Sequence, residues 1–454
     1  MIKDFIGKYS AIRLQNKLGK DLLIEFLSQW EKSKMIIYWM KKLFMYLDTY
    51  YAKNIFTESR EGTPSLESCG LQIFIKYIFE NFCGPVVEQI FKEIETEREG
   101  KLADWDLIHK IIKCYIYASV KNANLVNEGN ELVWKGEEDT KYYDTLFEPK
   151  YIEYTTNYYR TEASRWFSIQ STPEYTKTAL AAFQHEKEKI EKFLNRATYS
   201  KLEAKMVKVI IEGYDKKLVE KQESGCEEML KNKKLSLLKD LYLLFFMNKS
   251  SFKYIFEILK KYLKEKALTI LNNPDLEKKP VKFIEEFINL KNEMDDILIT
   301  SFNKDSDFSK VIDFQFCDLI KDYLNFPNFL AIYSDELLRV GLKGKTEQQE
   351  DFIIKIMYFV TCIVQKDCFI FQYSKLLAYR LLNGSSISNE AEASLISKLN
   401  VECGFNNIAK LQNMVEDITL SSSIQDEFKS NKSEIPNEKA IELKIKVLGF
   451  ANWP

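Results

Sequence analysis

The residue types that most often carry chemistry are few and scattered in this chain. Histidine occurs twice, at His109 and His185, too few for a His-ligated metal or a His-based triad. Each reads as a helix-surface or hydrogen-bonded polar residue. The eight cysteines stand at 69, 83, 114, 226, 317, 362, 368 and 403 without a C-x-x-C pair. A nucleophilic cysteine needs a neighbouring base and a depressed pKa, and the sequence argues for neither. Glu137 to Asp139, and Glu347 with Glu350 and Asp351, bring carboxylates together as general acid-base pairs do, while KNKK at 231 to 234 is a small basic run. All three read as solvated faces. No P-loop, G-x-G-x-x-G, G-x-S-x-G or H-E-x-x-H is spelled out, so no catalytic residue, cofactor or metal is expected.

Charge and hydropathy narrow the partners. Lys and Arg total 65 against 67 Asp and Glu, a net charge of -2, which gives no field to draw the chain to nucleic acid or an anionic membrane. Leu241 to Met247 and Met35 to Met40, the longest wholly apolar stretches, fall far short of the roughly 20 residues of a spanning helix. The start, MIKDFIGKYS, lacks the apolar core of a signal peptide, and the cysteine pattern suits a reducing compartment, so the expected location is cytoplasmic, nuclear or both.

The elements that would position any site are helical. Of 454 residues, 46% are hydrophobic and 14% aromatic, with only 15 Gly and 9 Pro, too few to punctuate many short strands. Length alone suggests roughly three domains at about 150 residues each. Phe252, Ile255, Phe256, Leu259 and Leu263 form one helical stripe, as do Ile108, Ile111, Ile112 and Tyr115; Ile190, Phe193 and Leu194; and Phe283, Phe287 and Leu290. Polar breaks are expected at Thr57 to Ser65, Asn122 to Asn130, Ser171 to Pro173, Asn272 to Pro274 and Gly341 to Gln349. Thr172 and Ser388 are expected helix caps. No strand signal is read in the first 430 residues, so the helices must bury their stripes against one another in bundles or stacked repeats. From Ile441, IELKIKV alternates at period two and is expected to be a solitary strand.

The stretch DCFIFQYSKLLAYRLLNGSSISNEAEASLISKLNVECGFNNIAKLQNMVEDITLS, Asp367 to Ser421, resembles the opening of the cullin homology region. The matching positions are Tyr373, Leu377, Ala378, Arg380 and Leu381, then Glu392, Ile396, Lys398 and Leu399, then Cys403, Gly404 and Phe405, then Lys410, Leu411, Met414, Asp417 and Ile418. Each alone has a plain reading: the leucines and Ile396 are core, and Cys403 is a small buried apolar residue. Gly404 would end a helix in the left-handed region, with Phe405 packing back over the last turn. Weaker likeness runs through TSFNKDSDF at 300 to 308, NFLAIYSDELL at 328 to 338, YYDTLFEPKYIEYTTNYYRTEASRW from Tyr142, PEYTKTALAAFQHEKEKIEKFL from Pro173, CGLQIF at 69 to 74 and ETEREGK at 95 to 101.

The resemblance implies an all-α fold: an elongated stack of cullin-type helical repeats, then a helical bundle and one terminal β-strand. The expected divisions are a first repeat over 1–100 lacking its early helices, a second over 101–222, a third over 223–345, a helical bundle over 346–435 and the first strand of a shortened α/β subdomain over 436–454. It further implies a non-catalytic scaffold of a ubiquitin ligase, with a substrate-receptor adaptor (Skp-like or BTB-type) at one end and a RING subunit at the other. A ubiquitin-conjugating enzyme would be engaged only indirectly. Met45, Tyr46 and Tyr50 are the implied adaptor contacts, with Tyr46 packing on Tyr50 as the plain alternative. Ile445, Val447, Leu448 and Trp453, in VLGFANWP and just before it, are the implied RING contacts. The chain is expected to begin after one adaptor-binding helix and to stop before the winged-helix segments, one strand offering a RING subunit little to pair with. The alternative expectation is a shortened helical interaction module or tethering rod that binds an adaptor without forming an active ligase.

Overall fold

A computed structural model describes residues 10–46, 65–129, 131–137, 139–341, 349–387, 389–431 and 445–454. The chain forms two compact units, Met1–Asp215 and Lys216–Pro454. Both are built of helices, and the all-α architecture expected from the stripes is the one observed. Among the described residues, no helix is long and apolar enough to cross a membrane.

In the first unit, α1 (Ser10–Gln15) leads to the long α2 (Lys20–Leu43). Leu22, Leu23, Phe26, Trp30 and Ile37 of α2 turn inward onto α3 (Leu66–Phe74), with Trp30 edge-on to Phe74 at 5.0 Å. Gly70 of α3 allows this approach, because a Cβ there would stand 2.7 Å from Ile37 Cγ1. One π-helical turn, Ile75–Phe79, carries α3 into α4 (Glu80–Arg98). Next, α5 (Trp105–Tyr117) buries Ile108, Ile111, Ile112 and Tyr115, as its stripe predicts. His109 hydrogen-bonds the Phe193 carbonyl at 2.7 Å, a satisfied polar residue.

The expected break at Asn122 to Asn130 is instead half of a β-hairpin. Strand β1 (Lys121–Glu128) pairs antiparallel with β2 (Glu131–Glu137), Glu128 opposite Glu131, and Gly129 leaves β1 with φ +66°. Gly-Asn between ANLV and ELVW is a sequence signal for a hairpin, within a stretch expected to be a polar break. Ala123, Leu125 and Trp134 are buried, so period-two alternation decides the conformation.

The rest of this unit is α6 (Glu148–Ile169), α7 (Thr172–Phe193) and α8 (Ala197–Val207). Ser171, not Thr172, caps α7: its side chain and Glu174 form a reciprocal capping box, while Thr172 is fully buried in the first turn. The buried Glu186 of α7 accepts hydrogen bonds from Tyr151 and Tyr159 of α6, each at 3.0 Å.

In the second unit, α9 (Cys226–Lys231) and α10 (Leu235–Phe246) precede α11 (Phe252–Leu271) and α12 (Pro280–Ser301). Then come α13 (Ser306–Lys321) and α14 (Phe326–Glu336). They are followed by α15 (Gln349–Cys362), α16 (Lys366–Asn383), α17 (Asn389–Cys403) and α18 (Phe405–Asn431). Helix α10 packs on α12, α11 on α13, α12 on α14, α13 on α15 and α14 on α16, so each helix lies on the next but one. The break at Asn272 to Pro274 is present, Asn273 accepting the Asp275 amide. Ser388 and most of the breaks at 57–65 and 341–349 lie outside the described residues.

Two expectations near the carboxy terminus need correction. Gly404 does end α17 with φ +83°, but Phe405 opens α18 and is mostly exposed rather than folded back over α17. Of the expected strand from Ile441, residues 441–444 lie outside the described residues and 445–449 belong to no ladder. The Val447 amide and carbonyl are bonded instead to the Ser421 hydroxyl, both at 2.7 Å, so a side chain of α18 takes the place of a neighbouring strand.

Candidate functional site

The implied adaptor contacts fall where α2 ends. One face of Lys20–Leu43 fills the core, and Met35, Trp39 and Leu43, four residues apart, lie exposed on its outward side among lysines and acidic residues. The helix stops at Leu43 with Phe44 donating to the Met40 carbonyl, and Phe44, Met45 and Tyr46 follow outward. Leu43 is 74% exposed, Met45 62% and Tyr46 73%. Tyr50 lies outside the described residues. Met35, Trp39 and Leu43 stand at a period of four, the available sequence signal for a shared face.

Buried polar contacts fix the orientation of α2. Lys41 pairs with the buried Glu67 of α3 at 2.8 Å, and the same Glu67 oxygen accepts the Leu125 amide of β1 at 2.9 Å. Lys34 donates to the Leu132 carbonyl of β2 at 2.9 Å. Trp30 and Trp134 rings meet at 6.5 Å. A groove of about 630 Å³ runs between α2, α5 and β2, lined by Trp30, Met35, His109, Lys110 and Val133 among others. The exposed end of α2 therefore offers apolar contact on a braced helix.

The residues of the Asp367 to Ser421 motif are brought together by α16, α17 and α18. Leu377, Leu381, Ile396, Leu399, Leu411 and Met414 are buried core. Arg380 is fully buried too, and its guanidinium grips Glu392 through Nε at 2.9 Å and Nη2 at 3.0 Å. Its Nη1 reaches Asp335 of α14 at 2.6 Å. Glu392 also accepts from Tyr373 at 3.1 Å and from Ser386 at 2.8 Å. Burial, then the Glu392 carboxylate, pushes the Tyr373 phenol well above its ordinary pKa, so it stays a neutral donor. The cluster locks three helices and has no solvent-facing reactive atom. Burial likewise raises the Cys403 thiol, which suits a packed residue rather than a nucleophile.

The implied RING contacts sit against α18. Asp417 Oδ2 accepts the Gly449 amide and the Trp453 indole N–H, each at 2.8 Å; the Trp453 bond, then the Gly449 bond, holds its carboxyl below the usual range. Trp453 is thus half-buried and tethered, whereas Ile445 and Val447 are half exposed. Lys446 donates to the Leu381 carbonyl at 2.7 Å and to that of Leu382, capping the end of α16 that Gly384 closes at φ +62°.

Several members of the acidic and basic clusters form ion pairs. Glu350 bonds Lys398 and Ser394, Lys231 pairs with Glu227, and Lys233 with Glu293. Among the described residues, no group of three or more His, Cys, Asp or Glu is arranged to hold a metal ion.

A family profile described as the cullin alpha solenoid domain matches residues 1–425. Cullin-3 of Dictyostelium discoideum is 26% identical over 452 residues, covering 98% of this chain and 56% of that protein. Cullin-3A of Arabidopsis thaliana is 25% identical over 439 residues, 96% of this chain and 56% of the relative, and Cullin-3 of Caenorhabditis elegans 25% identical over 468, 100% and 57%. The chain spans little more than half the length of these curated relatives. With the profile matched over nearly the whole chain, the chain belongs to the cullin family.

Proposed function

We propose that this chain is the helical, non-catalytic scaffold part of a ubiquitin ligase, docking a substrate-receptor adaptor of Skp-like or BTB type at the end of α2. The observation that carries the reading is the outward apolar run of Trp39 and Leu43, continued by Met45 and Tyr46 just past the end of a helix whose other face is anchored in the core. Large aromatic side chains on a rigid support make good anchors in a partner's pocket, since little further ordering is needed on binding. The scaffold does its work by effective concentration: a substrate held by the adaptor is kept near a conjugating enzyme recruited through a RING subunit. On this reading Ile445, Val447 and Leu448 offer the RING subunit an apolar edge, and Trp453, held by Asp417, keeps that edge on α18.

Titrating purified BTB-type and Skp-like adaptors against the chain tests the proposal. One of the two binds, and Tyr46→Ala or Trp39→Ala weakens it by about tenfold or more, the loss of one anchor of 1.4 kcal/mol or above. Both side chains are exposed, so circular dichroism should stay unchanged. No binding to either adaptor, or full affinity in both variants, would refute the assignment.

A further inference from the structure

Cys317 of α13 and Cys362 at the end of α15 are 45 residues apart in sequence, yet their Sγ atoms lie 2.6 Å from one another. Both are free thiols, Cys317 partly exposed and Cys362 buried. The contact puts the two sulfurs within reach of a disulfide bond, which is roughly 2.05 Å long. It is imposed by the packing of the two helices: Phe316 lies against Tyr358 and Phe359 with centroids 6.1 and 6.4 Å away. Asp313 of α13 takes the Tyr358 hydroxyl at 2.8 Å and Lys291 of α12 at 3.1 Å, and Lys291 also stands 4.4 Å over the Tyr358 ring. The register of the two sulfurs is therefore set by neighbours on both sides, so closing a bond between them asks little of the backbone.

We propose that Cys317 and Cys362 form a redox-sensitive pair that a peroxide closes into a disulfide, stapling α13 to α15. The partly exposed Cys317 thiolate attacks the peroxide, gaining one oxygen as a sulfenic acid while the O–O bond breaks and hydroxide leaves to take up the thiol's proton as water. Cys362 then attacks the Cys317 sulfur, the S–O bond breaks, and the departing hydroxyl leaves as water with the Cys362 proton. In sum, two thiols and one hydrogen peroxide give one disulfide and two waters. Burial raises the Cys362 thiol, which keeps it protonated and unreactive toward solvent until the sulfenic acid forms beside it. The pairing is independent of any adaptor or RING contact, since it rests on α12, α13 and α15 alone.

Brief treatment of the full chain with hydrogen peroxide, alkylation of the remaining thiols and peptide mapping without reductant tests this. The expected product is a Cys317–Cys362 cross-linked peptide pair, two hydrogens lighter than the free peptides and released by dithiothreitol. The exposed Cys368 serves as the internal reference for a thiol open to solvent. In Cys317→Ser, Cys362 should be oxidised at least tenfold more slowly than Cys368. Recovery of Cys317 as a sulfinic acid beside an unmodified Cys362, a Cys362–Cys368 link, or rapid oxidation of Cys362 in Cys317→Ser would each overturn the proposal.

Discussion

Replacing Glu392 by Ala strands the Arg380 guanidinium inside the second unit with Asp335 as its one remaining carboxylate. Two charge-assisted hydrogen bonds, at 2.9 and 3.0 Å, are lost, and the Tyr373 and Ser386 hydroxyls lose their acceptor. At about 1.5–3 kcal/mol for each bond to a charged group, the loss comes to about 3–6 kcal/mol. The cost of breaking a fully buried ion pair by removing one partner, about 3–5 kcal/mol, agrees. Arg380→Met combined with Glu392→Leu removes the stranded guanidinium but leaves the largely buried Asp335 carboxylate and the Tyr373 hydroxyl without their partner, so it should cost less than the sum of the two single changes. The two compact units need not unfold together, so a single denaturation midpoint is a poor readout. Amide exchange read by peptide is better: protection across α16 and α17 should fall roughly a hundredfold to twenty-thousandfold in Glu392→Ala, at about 1.4 kcal/mol per tenfold, while α6 and α7 of the first unit stay unchanged. A loss below about 1 kcal/mol in Glu392→Ala, or a double variant whose cost equals the sum of the singles, would refute the reasoning.

Gly70→Ala should destabilise the first unit by about 1–3 kcal/mol, because the new Cβ meets Ile37 at 2.7 Å; combined with Ile37→Ala, itself a core deletion, the losses read by amide exchange across α2 and α3 should be less than additive, and an additive loss would count against the contact. Docking of the carboxy-terminal turn should depend on pH. The folded-state pKa of Asp417 is depressed, so its contribution is present above the ordinary carboxylate value of about 3.9 and disappears as pH falls through the depressed one. The Trp453 indole N–H resonance should therefore shift on acidification below about pH 4, and Asp417→Ala should produce the shift at neutral pH; an indole signal indifferent to both would sink the assignment.

Much of the helical core could be read directly. The stripe Phe252, Ile255, Leu259 and Leu263 is buried on α11, and Ile108, Ile111, Ile112 and Tyr115 on α5, because a period near 3.6 puts such residues on one side of a helix wherever it packs. The hairpin was missed although Gly129 and Asn130 sit between alternating segments, since short strands flanked by asparagines compete with turn readings of the same residues. The cap at Ser171 was off by one residue for a similar reason: Thr172 is an equally good capping type, and its burial in the first turn decides against it.

The sequence by itself determined the helical class, the family motif from Asp367 to Ser421 and the sparseness of catalytic residue types, since these depend on composition and local periodicity. Only the tertiary structure decided which motif residues meet. Arg380 and Glu392 are twelve positions apart on different helices, and Asp335 lies on a third, so their common burial follows from the packing of α14, α16 and α17 and from no local pattern. The same holds for Cys317 and Cys362, distant in the chain and brought to 2.6 Å by two helices packing side by side. Exposure is decided that way too: Leu43 and Leu23 are the same residue type on one helix, and only what packs against each face makes one core and the other surface.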